Sequence, residues 1–309
     1  MASSVAYLFP GQGAQTVGMG KDLYETYSAA RAIFDEADSA LGFSLSKLCF
    51  EGPEEDLRRT LNTQPAILTT SYACLRAAQE LGVLSASDLP GFMAGHSLGE
   101  YTALAAADAL TFGEVIRLVR ERARLMDEAG TKNPGGMAAI LGMDEDALAA
   151  VCRETGVQMA NINSPGQVVI SGFLDAIAKA TEMATAKGAR RAIPLEVSAA
   201  FHSRLMEPAN EGIAKAVAEV KFRNPRVPII ANSTAMPLTT AEEIRDELLS
   251  QLCAPVRWQS TVEYMAAHGI NEYVEIGPGR VLTGLAKRIS SDAKAVNLSD
   301  VASLEELKH

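Results

Sequence analysis

Short apolar runs that stop at glycine-rich turns alternate along this chain with longer amphipathic stretches. Val5–Phe9 is the first such run, and a Pro-Gly-Gln-Gly segment ends it, which predicts a buried strand followed by a tight turn. Phe92–Ala94 predicts a second buried strand, which runs directly into another glycine-rich turn. Alternating strands and helices of this kind predict an α/β domain.

Helical periodicity and two later apolar runs extend this pattern through most of the chain. The predicted helices outside the central region are Leu23–Ala40, Gln64–Leu81, Glu100–Ala107, Phe112–Ala129, Ala241–Leu252, Trp258–His268 and Val281–Ile289. The further strand candidates are Pro228–Ala231 and Tyr273–Ile276. These elements continue the same α/β domain on both sides of a different central region.

The central region, from about residue 131 to 198, has shorter elements in a different order. Its predicted strands are Met137–Leu141, Val157–Asn161, Val168–Ser171 and Arg191–Val197, and its predicted helices are Asp144–Thr155 and Phe173–Lys187. This β-α-β-β-α-β order is typical of a ferredoxin-like domain. Pro194 fits its last strand, because a missing N–H is tolerated at a sheet edge. We therefore predict an α/β domain from residues 1–130 and 199–309, interrupted by a ferredoxin-like insert at 131–198.

Composition restricts the class of protein further. The 309 residues are 48% hydrophobic and 21% charged, with a formal net charge of −10, which favours a globular core and argues against nucleic-acid or anionic-membrane partners. No apolar run reaches the ~20 residues of a membrane span, and the N-terminus lacks a signal-peptide pattern. Four cysteines without CxxC or zinc-ligand spacing predict reduced thiols and no metal site. We therefore expect a cytoplasmic protein.

The turn after the second strand carries the clearest chemical signal. Residues 95–99 read Gly-His-Ser-Leu-Gly, which matches G-x-S-x-G between a predicted strand and a predicted helix. A sharp strand-to-helix turn exposes the hydroxyl of Ser97 and places the backbone N–H of Leu98 at a helix N-terminus, where it can stabilise an oxyanion. The motif predicts a serine nucleophile but does not separate hydrolases from transferases.

A serine nucleophile needs a base, and the chain has only four histidines. His96 adjoins the serine on a strand end, where neighbouring side chains diverge; His268 ends a helix, and His309 is the last residue. His202 follows the last strand of the insert, at the junction of the two domains, and is the favoured base; the alternative is a capping or buried structural histidine. No Asp or Glu stands out as the group that orients the imidazole, and a backbone carbonyl could serve instead.

Arg122 lies on the apolar face of its predicted helix, between Val119 and Met126. A charged guanidinium on that face needs a partner, and its planar fork suits a carboxylate. The partner could be a substrate carboxylate. An intramolecular ion pair, or a side chain that extends to solvent, explains the pattern equally well.

Several segments together resemble the malonyl-CoA:acyl carrier protein transacylase family. They are Phe9-Pro10-Gly11-Gln12-Gly13, Gly95-His96-Ser97-Leu98-Gly99-Glu100, Arg122, Asn161-Ile162-Asn163-Ser164-Pro165, Phe201-His202, Pro255-Val256-Arg257-Trp258 and Glu275-Ile276-Gly277-Pro278-Gly279. Each segment alone is a weak signal, but their ordered combination along nearly the whole chain is specific. The resemblance implies the same α/β-hydrolase-like fold with a ferredoxin-like insert.

The resemblance also implies a function for each matching residue. The implied roles are Ser97 as nucleophile, His202 as base, the backbone N–H groups of Gln12 and Leu98 as oxyanion hole, Arg122 as ligand of the malonyl carboxylate, the main-chain carbonyl of Gln251 as the group that orients His202, and Met126, Phe201 and Asn161 as substrate-pocket residues. Phe201 before the histidine resembles the malonyl-preferring form of the motif.

The activity implied is transfer of malonyl from coenzyme A to the phosphopantetheine thiol of acyl carrier protein, by a monomer without metal or redox cofactor. Because carrier and chain are both acidic, docking needs local basic residues, for which Lys187, Arg190 and Arg191, or Lys287 and Arg288, are candidates. The carrier could serve fatty-acid or polyketide synthesis. Two different functions also stay open on the sequence, an esterase or thioesterase and a non-catalytic carrier-binding scaffold.

Overall fold

The structure is a computed structural model that describes residues 3–85, 87 and 89–308. In these ranges the strands are β1 (Val5–Phe9), β2 (Phe92–Gly95), β3 (Gly135–Leu141), β4 (Gln158–Ser164), β5 (Gln167–Phe173), β6 (Arg191–Pro194), β7 (Ile229–Ile230), β8 (Pro237–Leu238), β9 (Glu272–Ile276) and β10 (Lys294–Leu298). They form two separate sheets, so the chain is a mixed α/β protein.

Helices occupy most of the remaining described residues. They are α1 (Lys21–Thr26), α2 (Ser28–Leu41), α3 (Leu45–Glu51), α4 (Glu54–Arg58), α5 (Thr60–Leu81), α6 (Leu98–Ala106), α7 (Phe112–Lys132), α8 (Glu145–Thr155), α9 (Leu174–Ala186), α10 (Asn210–Ala218), α11 (Ala241–Ser250), α12 (Trp258–Ala267), α13 (Val281–Ile289) and α14 (Val301–Glu306), with a 3₁₀ helix at Arg204–Ala209. Within the described ranges, no helix has the length and apolarity that crossing a bilayer requires.

The first sheet has six strands in the order β10-β9-β1-β2-β7-β8. Its first five strands are parallel, and only the short β8 runs antiparallel to its neighbour. In the centre of the sheet, Phe9 at the end of β1 lies beside Gly95 at the end of β2. Because parallel strands end at the same edge, the segments that follow β1, β2 and β7 meet there, where open α/β sheets bind ligands.

The second sheet has four antiparallel strands in the order β4-β5-β3-β6. Pro194 is the last residue of β6 and lies at the edge of this sheet, as its sequence context predicts. The predicted end of this strand at Val197 was wrong. The N–H of Val197 donates to the carbonyl of Leu195 at 3.0 Å, which turns the chain away after Pro194.

Backbone hydrogen bonds join the second sheet to the segment that precedes α12. The N–H of Ile162 on β4 donates to the carbonyl of Val256 at 2.9 Å, and the N–H of Val256 donates to the carbonyl of Ala160 at 2.8 Å. This parallel bridge holds β4 against a segment that returns to the first sheet. These hydrogen bonds therefore fix the two sheets relative to each other.

The single helix predicted over Leu23–Ala40 was wrong, because the chain forms α1 and α2 with Tyr27 extended between them (φ −111°, ψ 127°). The carboxylate of Glu80, at the end of α5, accepts hydrogen bonds from the Ser28 hydroxyl and the Ala29 N–H at 3.0 and 2.7 Å. A distant acidic residue thus caps the start of α2, which local periodicity cannot reveal.

Helix α5 begins at Thr60, four residues before its predicted start, and carries Pro65 in its interior. A proline there removes the N–H that would bond to the carbonyl of Leu61. The guanidinium of Arg120 on α7 donates to this carbonyl at 2.6 Å and also to the Asn62 side chain at 3.0 Å. The helix therefore continues through the proline because another helix satisfies the freed acceptor.

The pattern also missed several short elements: α3, α4, α10, α14, β8, β10 and the 3₁₀ helix. Most have seven residues or fewer, too short for a clear 3.6-residue period. Their positions are fixed by packing on longer helices and on the sheet rather than by their own sequence.

Replacing Arg120 by alanine should lower the free energy of unfolding by about 1–2 kcal/mol, because the partly buried carbonyl of Leu61 would lose its donor. Arg124→Ala on the same helix is the matched control. Arg124 is exposed and bonds only to Glu121 and Glu128, so its loss should cost less than about 1 kcal/mol. Urea unfolding measures both. Equal losses in the two variants would contradict the role assigned to Arg120.

Candidate active site

Ser97 lies in the turn between β2 and α6 with φ 51° and ψ −103°, a backbone conformation that a non-glycine residue rarely adopts. The turn is tight because a Cβ on Gly95 would overlap the carbonyl of Gly99, and a Cβ on Gly99 would overlap that of Phe9. The two glycines of the motif are therefore required for close backbone approach. The turn places Ser97 at the edge of the parallel sheet.

Two side chains from distant segments hold the strained serine. The Ser97 N–H donates to the Asn232 side-chain oxygen at 2.6 Å, and the amide nitrogen of Asn232 donates to the carbonyl of Gly95 at 2.7 Å. The Gln251 side chain donates to the Ser97 carbonyl at 3.1 Å. Both backbone groups of Ser97 are thus satisfied from outside the turn, which offsets a strain on the order of 1–3 kcal/mol.

His202 is the histidine that contacts Ser97. Its Nε2 lies 2.7 Å from Ser97 Oγ, and its Nδ1 lies 3.0 Å from the carbonyl of Gln251 and 3.2 Å from that of Ala254. Because two carbonyl acceptors face Nδ1, that nitrogen carries the proton and Nε2 is free to accept the serine proton. His202 also has a positive φ of 54°, so both partners of this pair are backbone outliers, as is common at functional sites.

The pKa of His202 is lowered to about 3, first by burial and then by the positive charge of Arg122. The imidazole is therefore neutral at physiological pH. A neutral imidazole with a bare Nε2 is the form that a general base must have.

Arg122 is fully buried beside the same serine. Its guanidinium donates to Gln64 at 2.6 Å, to Gln251 at 3.0 Å and to Ser97 Oγ at 3.1 Å, and its Nε has no partner in the described structure. No carboxylate of the described residues lies within ion-pair distance. The structure therefore contains neither the intramolecular ion pair nor the solvent-reaching side chain that the sequence left open.

The two backbone N–H groups expected to form the oxyanion hole have no hydrogen-bond partner among the described residues. Leu98 is the first residue of α6, and Gln12 follows β1 in the turn beside it. The side chain of Gln12 is held by the Thr60 hydroxyl at 3.3 Å, which in turn contacts the Ser198 hydroxyl at 3.1 Å. Free N–H groups beside a serine hydroxyl can bind a developing negative charge.

A cleft of about 540 Å³ opens onto Ser97 and His202 between the two sheets. Met126, Phe201 and Asn161 line it, as the sequence resemblance implies for substrate-pocket residues. Its lining combines these side chains with Gln12 and with Met137 of the second sheet, so the cavity depends on how the two sheets pack together.

The other histidines lie elsewhere or point away. His96 Nε2 lies 2.9 Å from the Asn163 side-chain oxygen, and His268 ends α12 with Nδ1 2.7 Å from the carbonyl of Tyr264. His309 lies outside the described residues. In the described ranges no three His, Cys, Asp or Glu side chains are grouped as a metal site would need.

The basic clusters considered for docking have partners of their own. Lys187 pairs with Glu154 at 3.1 Å, and Arg288 donates to the Gln167 side chain at 2.5 Å. The second contact joins α13 to the second sheet. The remaining cations of these clusters, Arg190, Arg191 and Lys287, have no ion pair with a described residue.

Sequence reasoning missed four groups of this site: Gln64, Asn232, the carbonyl of Ala254 and the side chain of Glu100. Glu100 accepts from Gln251 at 2.6 Å and is fully buried. Glu100 alone carried a signal, because it directly follows the serine motif in a segment that resembles the transacylase family. The other three are ordinary polar groups that only the folded chain brings to the site.

The lowered pKa of His202 makes stability depend on pH. The pKa of His202 is 6.5 in the unfolded chain and about 3 in the folded protein. Between these values only the unfolded state binds the proton, so the free energy of unfolding is highest above pH 6.5 and decreases on acidification. The decrease from this one group is about 1.4 kcal/mol per pH unit. Urea unfolding of wild type and His202→Gln from about pH 7 to pH 4 should show a shallower decline in the variant. Parallel curves would contradict the buried neutral state.

Comparisons with known proteins identify the family of this chain. Residues 6–305 match the family model described as acyl transferase domain. The chain is 47% identical over 308 residues to the malonyl CoA-acyl carrier protein transacylase of Bacillus subtilis (strain 168), covering 98% of this chain and 96% of the relative. It is 44% identical over 303 residues to the Escherichia coli (strain K12) protein of the same name, covering 97% of each.

Solved structures give the same result. An acyl carrier protein S-malonyltransferase from Vibrio cholerae O1 biovar eltor superposes with a TM-score of 0.94 at 44% identity, over 99% of this chain and 100% of that one. A malonyl-transacylase in complex with its type II PKS acyl-carrier protein superposes with a TM-score of 0.94 at 42% identity, over 99% of each. The chain belongs to the acyl transferase family and, within it, to the malonyl CoA-acyl carrier protein transacylases.

Proposed function

We propose that this protein transfers malonyl groups from coenzyme A to the phosphopantetheine thiol of acyl carrier protein through an ester on Ser97. The observation that carries the proposal is the meeting of three groups at one oxygen. Ser97 Oγ lies 2.7 Å from a neutral His202 and 3.1 Å from the buried guanidinium of Arg122. The names of its relatives, malonyl CoA-acyl carrier protein transacylases, support the same substrates.

In the first half-reaction, His202 Nε2 takes the proton of Ser97 as Oγ attacks the thioester carbonyl. The carbonyls of Gln251 and Ala254 keep the proton of Nδ1 in place and stabilise the imidazolium that forms. The tetrahedral oxyanion is bound by the free N–H groups of Gln12 and Leu98. The C–S bond then breaks, and His202 returns the proton to the departing coenzyme A thiolate, which leaves malonyl-Ser97.

The second half-reaction repeats these steps in reverse with a different thiol. The phosphopantetheine thiol gives its proton to His202 and attacks the Ser97 ester, and collapse of the oxyanion returns the proton to Ser97 Oγ. Two acyl transfers at one serine predict ping-pong kinetics. We propose that no metal or redox cofactor takes part, because acyl transfer needs only the nucleophile, the base and the oxyanion donors described above.

Arg122 provides the selectivity for a carboxylated acyl group. In a malonyl ester the carboxylate carbon is separated from the ester carbonyl by a single methylene, so a carboxylate can reach the guanidinium beside Ser97. The partners that Arg122 has in the free site, Gln64 and Gln251, are neutral amides. A substrate carboxylate adds the opposite charge that these partners lack, in a buried site where the interaction is strong.

The acceptor is proposed to be the carrier of fatty-acid synthesis. A carrier of polyketide synthesis is the second candidate, because one close structural relative was solved with a type II PKS acyl-carrier protein. The candidate docking cations are Arg190, Arg191 and Lys287, which have no ion pair among the described residues, with Lys187 and Arg288 beside them. A location in the cytoplasm and a monomeric state stay predictions.

We also propose the finer domain assignment. Residues 1–130 and 199–309 would form the α/β-hydrolase-like domain, which the parallel sheet and the strand-serine-helix turn support. Residues 131–198 would form the ferredoxin-like insert. The β-α-β-β-α-β succession and the antiparallel order β4-β5-β3-β6 support this assignment.

Incubation with malonyl-CoA alone should leave a malonyl group on the wild-type protein and none on Ser97→Ala, because only Oγ can form the ester. Intact-mass spectrometry measures the adduct. Release of free coenzyme A without an adduct would favour a hydrolase. If neither an adduct nor free coenzyme A is formed, the result would favour a carrier-binding scaffold. Ser291→Ala, which changes an exposed serine after α13, serves as the control and should retain the adduct.

Arg122→Ala should lower kcat/KM for malonyl-CoA by about 10²-fold or more, because it removes a charge-assisted interaction worth roughly 3 kcal/mol. The kcat/KM for acetyl-CoA should fall much less, so the preference for malonyl is lost. Arg124→Ala on the same helix is the control and should keep both values. A variant at Arg122 that retains the malonyl preference would exclude the proposed carboxylate site.

A further inference from the structure

A buried polar cluster lies beside the catalytic serine. Glu100 on α6 is fully buried, and its Oε2 accepts from the Gln251 side chain at 2.6 Å. The oxygen of the same amide accepts from Arg122 at 3.0 Å. One neutral amide therefore separates a buried carboxyl group from a buried guanidinium. Glu100 Oε1 and Arg122 Nε have no hydrogen-bond partner in the described structure.

A second carboxyl group, that of Glu247 on α11, lies close to this cluster. Its two oxygens accept from the Ser233 N–H at 2.9 Å and from the Ser233 hydroxyl. Glu100 leaves one oxygen without a donor, whereas both oxygens of Glu247 have one, so ionisation is harder for Glu100. Burial, and then repulsion by Glu247, raise the pKa of Glu100 well above its usual range, and Arg122 opposes this rise.

We infer that Glu100 tunes the charge that Arg122 offers to a substrate carboxylate. Protonated Glu100 leaves the positive charge of Arg122 uncompensated, and Glu100 that ionises as the pH rises competes with the substrate carboxylate for that charge. Glu100 is then a positioning and specificity-determining residue, because it decides how much net positive charge the site offers to an acyl group. The inference rests on the proposed function, in which Arg122 holds the malonyl carboxylate.

The physical reason is that one buried cation can be shared by two carboxyl groups in a site from which water is excluded. Arg122 faces only neutral hydrogen-bond partners, so Glu100, once it ionises, compensates the charge of Arg122 across the single amide of Gln251. A malonyl carboxylate would place a further negative charge beside the same guanidinium, and two carboxylates that share one buried cation favour protonation of one of them. By linkage, protonation of Glu100 must then favour malonyl binding by the same factor.

Glu100 titrates without interference from most of its neighbours. The charged and titratable groups that face it are Glu247, Arg122 and Tyr101. Arg122 is permanently charged, and burial raises the pKa of Tyr101 to about 12. The base His202 titrates near 3. The pKa values of the two glutamates of this cluster are both raised, mainly by burial, so theirs are the charges that the pH dependence follows.

The test is the ratio of kcat/KM for malonyl-CoA to kcat/KM for acetyl-CoA, measured from about pH 6 to pH 9. The ratio cancels effects common to both thioesters, such as titration of the coenzyme A phosphates. In the wild type the malonyl preference should be highest at low pH and fall with rising pH, by up to about tenfold per unit where one proton is taken up.

Glu100→Gln keeps the size of the side chain and an oxygen that can accept from Gln251. Its malonyl preference should be independent of pH and at least as high as the wild-type value at low pH. Glu242→Gln, which changes an exposed glutamate on α11, removes the same formal charge and should behave as the wild type. A role in folding alone would change kcat/KM for both thioesters together and leave the pH profile of their ratio unchanged.

Glu247→Gln provides a second variant in case Glu100→Gln does not fold. Without Glu247 the pKa of Glu100 should decrease, so the malonyl preference should fall at a lower pH than in the wild type. A flat ratio in Glu247→Gln with a normal profile in Glu100→Gln would assign the proton to Glu247 and overturn the inference.

A wild-type ratio that does not vary with pH would also overturn the inference, although the proposed function would stand if the malonyl adduct on Ser97 forms. Failure of the wild type to form that adduct would overturn the proposed function itself. The two failures are therefore distinguishable.

Discussion

The charge of Arg122 is enclosed in the protein beside a serine hydroxyl, and the surrounding polar residues are arranged around it. A buried guanidinium with neutral partners is costly unless every donor is used or a ligand completes the set. Gln64, Gln251 and Ser97 each accept a hydrogen bond from it, and Nε stays unused. This arrangement makes the site complementary to an anion, and the same charge adds to the effect of burial in lowering the pKa of His202.

Gln251 connects nearly every part of this arrangement. Its carbonyl holds His202, its amide oxygen accepts from Arg122, and its amide nitrogen donates to Ser97 and Glu100. The amide cannot turn over without placing its NH₂ against the guanidinium. Its orientation is therefore fixed, and with it the relative positions of His202, Ser97 and Arg122.

Two kinds of structure contribute to the cleft. The parallel sheet supplies the turns that carry Ser97 and Gln12, which depend on strand ends meeting at one edge. The second sheet supplies Asn161 and, after its last strand, the segment that carries His202. Backbone bonds at Val256 hold the two parts together, so the distance between His202 and Ser97 depends on how the two sheets pack.

The sequence by itself determined the features that depend on neighbouring residues. The strand, the glycine turn and the helix around Ser97 are local, and the apolar face that contains Arg122 follows from helical spacing. The same information failed at α1 and α2, where Glu80 caps the start of α2 from 51 residues away. It also failed at Pro65, where Arg120 on α7 replaces a missing backbone donor.

Only tertiary structure decided which residues bind Arg122. Its partners Gln64 and Gln251 lie 58 and 129 residues away from it in the sequence. Tertiary structure also decided the link from Asn232 to Ser97, across 135 residues. Polar side chains that bond over such separations leave no period in the sequence, because their geometry is set by packing between elements rather than within one.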